Sequence, residues 1–394
     1  MKVIIAPASF KGSLSNLEAA RIMEKACFEV FSSARVVFFP VADGGEGTID
    51  VLKILAGGNI VSEEICGPLF IKITGRWLKK GDTAYIEMAQ AAGLTLIGEK
   101  EKNPMKTTTF GVGELIKSAV SSGSRKIFIG VGGSATNDGG IGALTALGVK
   151  FTGNGGRRIY PGCGKDLLDI KNIDVSGLVP ELRRCSITIL SDVKNPFYGR
   201  KGAAYIYAPQ KGASPEQVKI LDKGLRNYSR TIKKVTGKDI SCLPGAGAAG
   251  GIAGGFAAFL SAKIVSGIET IFHMGRFEEK LKSADLVLTG EGRLDVQTAY
   301  GKPPAVLARL CKKQGVPLII LAGNVEEDAS RNRVFADAAI TSIVPGVVSL
   351  ENAMKNAGGY LYETTRQMLN FYKISRLVPG QGQGKKGAER CLRK

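Results

Sequence analysis

Side chains able to do chemistry cluster in five short segments that contain glycine or other small residues. The segments are PASFKGSLS from Pro7, ADGGEGT from Ala42, GVGGSATNDGG from Gly130, SDVKNP from Ser191 and TGEGRLD from Thr289. Together they supply carboxylates, hydroxyls and cations. Transfer of a phosphoryl group to an alcohol needs carboxylates that hold magnesium, a base near the hydroxyl and cations on the transferring group. The segments therefore contain the side chains that this reaction requires.

The carboxylates and cations of these segments receive predicted roles. The predicted catalytic residues are Asp192, Lys11, Arg293 and Asp295. The predicted ligands of a magnesium ion are Asp43, Glu46, Asp192 and Glu291. For any one segment the alternative is structural, because Ser, Asp and Asn are favoured at helix N-caps. For Asp192 a chemical role and a structural role both stay open. In the chemical role it ligates magnesium or accepts a proton, and in the structural role it caps a helix.

The GGSATNDGG segment offers several backbone N–H groups, two hydroxyls and the Asn137 and Asp138 side chains, directly before a helix predicted to begin near Ile141. Such a segment suits a polyphosphate and its magnesium ion. The glycine run from Gly245 could serve in the same way. The predicted cofactor-binding residues are Gly132, Gly133, Ser134, Thr136, Asn137, Asp138, Gly245 and Gly247.

Seven β-branched runs, each followed by small residues and a helical pattern, predict a parallel, doubly wound α/β sheet. The runs are KVIIA, VVFFPV, KIFIG, SITIL, DLVLT, PLIIL and AAITSIV. We expect all seven to form one parallel core. Ligands of such a sheet bind beyond the carboxyl ends of its strands, and the chemical segments follow these runs.

Two stretches break this rhythm and predict a second α/β domain formed by insertions, 63–107 and 193–279. The Rossmann-like domain is then assigned to 1–62, 108–192 and 280–375, and 376–394 to a flexible basic tail. The active site is expected in the cleft between the two domains. These boundaries rest on the change of pattern alone.

Two other classes of protein remain as alternatives. GAGAAG from Gly245 and GVGGSA from Gly130 match nucleotide-binding glycine patterns of nicotinamide enzymes, but the first follows no convincing strand and the second lacks the acidic residue expected after the next strand. The formal net charge of +19 would attract nucleic acid, although no binding motif for it occurs. The single histidine, His273, has apolar neighbours and is predicted to have a structural role.

The cellular location is predicted to be cytoplasmic. The seven cysteines are scattered and form no CxxC pair, as expected of reduced thiols. The apolar run at the N-terminus stops at Pro7, so it resembles neither a signal peptide nor a membrane anchor. The oligomeric state does not follow from the sequence.

The segments, read in order, resemble those of the bacterial type I glycerate kinase family from Met1 to about residue 372. The resemblance rests on SFKGSLS, ADGGEGT, IEMA, GVGELI, GGSATNDGG, NPFYG, PQKGA, PGAGAAGG, SGIE and TGEGRLDVQT followed by GK. It implies ATP-dependent, magnesium-assisted phosphorylation of D-glycerate, with the 2-phosphate product favoured. It also implies a Rossmann-like domain joined to a second α/β domain.

The sequence departs from the family pattern at three positions. Ala8 stands where the family usually has an aspartate, in PDSFK, and Ser191 precedes Asp192 where the family commonly has Cys or Ala. Phe70 replaces the last glycine of GPLG. Of these, only Ala8 removes a carboxylate from a segment that could do chemistry.

Overall fold

The computed structural model describes residues 1–10, 12–42, 44–296, 298 and 301–377. The described chain divides into two compact units. The first unit consists of Met1–Pro40 and the chain from Glu278 onwards, and the second unit is the continuous segment Val41–Phe277.

The strands of the two units, in chain order, are β1 (Lys2–Ile5), β2 (Arg35–Phe38), β3 (Asn59–Cys66), β4 (Lys72–Lys80), β5 (Thr83–Glu87), β6 (Lys126–Gly130), β7 (Lys150–Thr152), β8 (Arg158–Ile159), β9 (Asn172–Asp174), β10 (Ser186–Leu190), β11 (Lys263–Val265), β12 (Leu286–Leu294), β13 (Leu318–Val325) and β14 (Ala338–Ser342).

The helices are α1 (Asn16–Val30), α2 (Thr48–Ala56), α3 (Ala89–Ala92), α4 (Phe110–Ser121), α5 (Ile141–Ala146), α6 (Ala203–Tyr207), α7 (Pro215–Thr236), α8 (Ile252–Phe259), α9 (Gly267–Met274), α10 (Phe277–Leu281), α11 (Pro303–Gln314), α12 (Glu327–Ser330), α13 (Leu350–Lys355) and α14 (Ala357–Ser375). In the part of the chain described, no helix is long and apolar enough to cross a membrane.

The first unit is built on a parallel sheet with strand order β14-β13-β12-β1-β2. Val3, Leu288 and Leu321 pack with α1 and α14 in one apolar cluster. Their strand neighbours Ile4 and Ile320 are also buried, and α11 contacts β12 and β13. Side chains alternate between the two faces of a strand, so both faces are covered, as parallel sheets require. When the five strands of this unit are numbered along the chain, their order in the sheet is 2-1-3-4-5, which is that of a doubly wound fold.

The second unit contains a six-stranded sheet with order β11-β10-β6-β5-β4-β3. Its first four strands are parallel, and β4 and β3 are added as antiparallel strands at one edge. A separate antiparallel sheet has the order β8-β7-β9. The largest apolar cluster of this unit surrounds Trp77, which is fully buried.

The predicted α/β class with parallel sheets is confirmed, but the distribution of strands differs from the prediction. KIFIG and SITIL form β6 and β10, which pair with each other in the sheet of the second unit. The second unit is one continuous insertion between β2 and β12, whereas the prediction placed 108–192 with the first sheet. Strand and helix patterns alternate in the same way along both units, so this alternation did not reveal which sheet each strand joins.

Two further expectations concern the cysteines and the tail. The six cysteines that the structure describes are free thiols, as predicted. Of the predicted tail, 376–394, residues 378–394 lie outside the described chain, and Arg376 and Leu377 directly follow α14.

Candidate active site

The segment before α2 lies on the carboxyl ends of β6 and β10 in the second unit. Gly132 N donates to Gly44 O at 3.0 Å. A Cβ atom on Gly130 would lie 2.5 Å from Gly44 O, and one on Gly44 would lie 2.7 Å from Leu190 O. Glycine is therefore required at these contacts by the close approach of two backbones. ADGGEGT and GVGGSATNDGG thus meet at one sheet edge. The prediction that all five segments lie at one edge of a single sheet is wrong, because β1 and β12 belong to the sheet of the first unit.

Glu87, the last residue of β5, fixes the N-terminus of α2. Its carboxylate is fully buried and accepts hydrogen bonds from Gly47 N at 3.1 Å and Ile49 N at 3.2 Å. Burial raises the pKa of this carboxyl, and the two backbone N–H groups oppose that shift. Glu87 thereby holds the segment that carries exposed Glu46. No role was predicted for Glu87 from the sequence, although a glutamate that ends an apolar strand is a recognisable signal.

The segment after β6 has an exposed tip and a buried remainder. Gly132 is partly exposed and Gly133 is exposed, whereas the following residues to Gly140 are buried. Gly133 has φ +72°, and a Cβ atom there would lie 3.6 Å from its nearest neighbour. No described residue accepts a hydrogen bond from the backbone N–H of Gly133 or Ser134. The tip therefore offers backbone donors to a ligand.

Asp138 joins two helices instead of facing solvent. Its Oδ2 accepts hydrogen bonds from Thr109 Oγ1 at 2.7 Å and Thr109 N at 2.9 Å, at the start of α4. Its Oδ1 accepts one from Gly140 N at 3.0 Å, at the start of α5. Burial raises the pKa of this carboxyl, and these hydrogen bonds oppose the shift. The contacts give Asp138 a capping function, and its predicted cofactor-binding role stays a prediction.

Other predicted cofactor-binding side chains are equally inaccessible. Thr136 and Asn137 are fully buried, and neither the Thr136 hydroxyl nor the Asn137 amide has a hydrogen-bond partner in the described chain. Ser134 accepts a hydrogen bond from buried Lys211. In this segment a bound nucleotide would therefore meet the backbone of Gly132 and Gly133 first.

The glycine run from Gly245 supports neighbouring backbone. Gly245 and Gly247 are buried. Gly247 N donates to Asn195 O at 3.0 Å, and a Cβ atom on Gly247 would lie 2.3 Å from Pro196 O. Close packing thus accounts for Gly247, and nucleotide binding by this run stays a prediction. No strand directly precedes the run in the described chain, so the nicotinamide alternative lacks the strand it requires.

Asp192 lies beyond the end of β10, as predicted, and is partly exposed. Its Oδ1 accepts a hydrogen bond from Ser266 Oγ at 2.6 Å, and its Oδ2 accepts one from Ile268 N at 3.3 Å, in the first turn of α9. The structural role considered for Asp192 is therefore present. A chemical role remains compatible with its exposure and stays a prediction.

In the first unit, the predicted residues follow β1 and lie on and after β12. Ala8 N donates to Gly290 O at 2.8 Å, so the segment after β1 lies beside β12. Arg293 is exposed and forms an ion pair with Glu326. Glu291 is buried with a relative exposure of 8%. Lys11 lies outside the described residues.

Asp295 follows β12 and is paired with a cation. Its Oδ1 accepts hydrogen bonds from Thr298 N at 2.8 Å and from Lys302 Nζ at 3.1 Å. Burial acts to raise the pKa of Asp295, but the Lys302 ammonium and the Thr298 donors outweigh it and hold the pKa below its usual value. Asp295 is therefore a carboxylate at neutral pH.

The four predicted magnesium ligands are distributed over both units. Glu46 and Asp192 belong to the second unit, Glu291 belongs to the first, and Asp43 lies outside the described residues. Among the residues that the structure describes, no three carboxylate, histidine or cysteine side chains form a metal-binding group. Glu46 is exposed and Asp192 is partly exposed, and carboxylate oxygens are the donors that magnesium prefers. The complete ligand set stays a prediction.

These features define an α/β protein with a doubly wound parallel sheet, whose candidate ligand-binding segments lie near the carboxyl ends of parallel strands. The model of the Glycerate kinase family matches residues 3–373. The glycerate kinase of Bacillus subtilis (strain 168) is 42% identical over 380 residues, which are 96% of this chain and 99% of that protein. The glycerate 2-kinase of Escherichia coli (strain K12) is 41% identical over 370 residues, 93% of this chain and 97% of that protein.

A solved structure shows the same fold. The crystal structure of putative glycerate kinase 2 from Salmonella typhimurium LT2 has a TM-score of 0.81 and 39% sequence identity, and it covers 96% of this chain and 100% of its own. This chain belongs to the glycerate kinase family. The predicted family and the predicted class of enzyme, a kinase that phosphorylates an alcohol, are thereby confirmed. Membership of a kinase family implies the use of a nucleotide.

Proposed function

We propose that this protein transfers the γ-phosphoryl group of ATP to a hydroxyl of D-glycerate, with magnesium as the cofactor and 2-phosphoglycerate as the favoured product. The family match along nearly the whole chain supports the reaction class. The observation that carries the proposal at the site is the turn Gly132–Gly133 beyond the carboxyl end of β6, where the backbone N–H groups of Gly133 and Ser134 have no acceptor in the described chain. Such donors suit the phosphate groups of a nucleotide.

The proposed residue roles follow from position and exposure. Asp192 ligates magnesium or accepts the proton of the glycerate hydroxyl, and its partial exposure supports either role. Lys11 and Arg293 contact anionic groups of the substrate or of the nucleotide. Arg293 is exposed, and its ion-pair partner Glu326 would have to share the guanidinium with the incoming anion. Asp295 is kept ionised by Lys302.

The proposed magnesium ligands are the carboxylates Asp43, Glu46, Asp192 and Glu291. When bound, magnesium neutralises charge on the phosphate oxygens during transfer.

The cytoplasmic location of the protein stays a prediction.

The product identifies both the reaction and the hydroxyl that reacts. Purified protein is incubated with D-glycerate, ATP and magnesium, and the phosphorylated product is identified by ³¹P nuclear magnetic resonance. We expect a phosphomonoester signal that coincides with added 2-phosphoglycerate. A signal that coincides with 3-phosphoglycerate would correct the choice of hydroxyl, and the absence of any phosphoglycerate would contradict the proposed reaction. A parallel incubation with EDTA in excess over magnesium tests the cofactor and should yield no product.

A further inference from the structure

Lys211 is a buried lysine in a single helical turn, Pro209–Lys211, after α6. Its relative exposure is 4%. Lysine is almost never fully buried unless its ammonium group has a partner. Here Nζ donates to Ser134 Oγ at 2.7 Å and to Thr136 O at 2.7 Å, both in the segment after β6. A residue 77 positions along the chain thus holds this segment.

The two contacts lie directly behind the exposed tip. Ser134 follows Gly133, whose backbone N–H is unused in the described chain. The tip is held on its other side by Leu94 N, which donates to Gly133 O at 2.9 Å, and by Gly132 N, which donates to Gly44 O. Lys211 therefore completes a set of contacts that leaves the tip little freedom to change conformation.

We propose that Lys211 is a positioning residue that holds the Gly132–Gly133 turn in the conformation that binds the phosphate groups of the nucleotide. This inference rests on the proposed function, because it assigns the turn to phosphate binding. Lys211 does not touch the nucleotide in this account. Its effect is transmitted through Ser134 and the backbone of Thr136. Because these contacts already hold the turn in one conformation, less conformational freedom is lost when the phosphate groups bind.

The chemistry of the contacts fits this role. Both acceptors are neutral oxygens, one a hydroxyl and one a carbonyl. An amine with two N–H donors satisfies both, whereas the charged form has a third donor. Burial lowers the pKa of Lys211 to about 7, although Asp138 opposes the shift. The amine therefore keeps both hydrogen bonds in either protonation state.

The test is a comparison of Lys211→Met with Lys238→Met in steady-state kinetics with Mg-ATP and D-glycerate. Lys238 is the matched control, because its Nζ also donates to a carbonyl, Ala258 O at 2.8 Å, and to a hydroxyl, Ser261 Oγ at 3.1 Å. Methionine preserves much of the length of the side chain and removes its donors. In Lys211→Met we expect KM for Mg-ATP to rise about tenfold or more, with kcat and KM for D-glycerate within about twofold. In Lys238→Met all three should be unchanged.

Each outcome supports or overturns a stated claim. A wild-type protein with no activity on these substrates overturns the proposed function and, with it, the assignment of the turn to nucleotide phosphate, whereas the contacts of Lys211 with Ser134 and Thr136 are unaffected by that outcome. An active wild type with unchanged KM for Mg-ATP in Lys211→Met overturns the positioning role, as does an equal rise in KM for both substrates. If Lys211→Met fails to fold, Ser134→Ala replaces it, since it removes one of the two acceptors. The inference then requires a selective rise in KM for Mg-ATP, and its absence overturns the inference.

Discussion

At the scale of single residues, several charged side chains of the site also have structural partners. Asp192 accepts hydrogen bonds at the start of α9 and remains partly exposed. Asp138 and Glu87 are fully buried and hold helix N-termini. A substitution at any of them can therefore alter stability as well as activity. Kinetics and stability therefore have to be measured on the same variant.

Replacing Asp192 with Asn separates its two roles. Asparagine keeps an oxygen that can accept a hydrogen bond and has similar preference at helix N-caps. If Asp192 ligates magnesium or acts as the base, we expect kcat to fall by a factor on the order of 10² or more, with little change in melting temperature. Ser266→Ala is the matched control, because it removes a partner of Asp192 and keeps the carboxylate. Wild-type kcat in Asp192→Asn would leave only the structural role.

Lys211 should make the stability of the protein rise with pH. Its pKa in the folded protein is about 7, below the ordinary value of 10.5. Between these values the unfolded chain binds more protons than the native one, so the free energy of unfolding increases as pH rises. The largest possible slope is about 1.4 kcal/mol per pH unit.

The measurement is urea unfolding at pH 7, 8 and 9, followed through the fluorescence of the single tryptophan, Trp77, in the same unit. We expect the wild type to gain stability relative to Lys211→Met across this range. The comparison with the variant cancels the titration of other groups. A difference that stays constant from pH 7 to pH 9 would show that Lys211 does not titrate as a buried amine.

At the scale of elements, the turn between β3 and β4 shows how a phenylalanine is accommodated at position 70. Phe70 has φ +61°, a conformation that favours glycine. The left-handed backbone costs a non-glycine residue about 1–2 kcal/mol. The ring packs edge-to-face against Phe110, with centroids 5.2 Å apart, and against Tyr160 at 5.8 Å. Each such pair contributes about 0.5–1.5 kcal/mol, so packing offsets the strain.

Two substitutions at Phe70 separate strain from packing. Phe70→Ala loses the ring contacts and keeps the strained backbone, whereas Phe70→Gly loses the contacts and relieves the strain. We expect both to be less stable than the wild type, with Phe70→Gly about 1 kcal/mol more stable than Phe70→Ala. Urea unfolding monitored at Trp77 gives both values. If the glycine variant were the less stable of the two, backbone strain at residue 70 would not be the reason for the family's glycine.

The sequence predicted the elements of the site better than their contacts. The β-branched runs and the glycine-containing segments correctly indicated which residues follow the carboxyl ends of β6 and β10. The segment TGEGRLD was predicted to follow its strand, but β12 continues to Leu294, so Glu291 and Arg293 lie within the strand. The segment after β6 was predicted to expose its polar side chains, but Thr136, Asn137 and Asp138 are buried. Lys211 reaches this segment from 77 positions along the chain. Local patterns contain no information on such long-range contacts, and charged residues are expected at the surface by default.

At the scale of the whole molecule, the predicted domain division shows a second limit of the sequence. The runs that form β6 and β10 have the same pattern as those that form β1 and β12, because all are buried parallel strands. Which sheet a strand joins is decided by its partners. The β5 and β6 pairing, with Tyr85 opposite Phe128, assigns KIFIG to the second unit.

The net charge of +19 is a property of the whole molecule and is compatible with anionic substrates and a nucleotide.

The central claim is that this protein is a kinase whose acceptor is D-glycerate. The most direct test compares D-glycerate with D-lactate, which has the carboxylate and the 2-hydroxyl in the same configuration but no 3-hydroxyl, in a coupled assay of ADP release with Mg-ATP. A site that hydrogen-bonds the 3-hydroxyl leaves buried polar groups unpaired when that hydroxyl is missing, so we expect kcat/KM for D-lactate to be lower by about 10²-fold or more. Comparable kcat/KM values for the two acids would contradict the assignment of D-glycerate as the substrate.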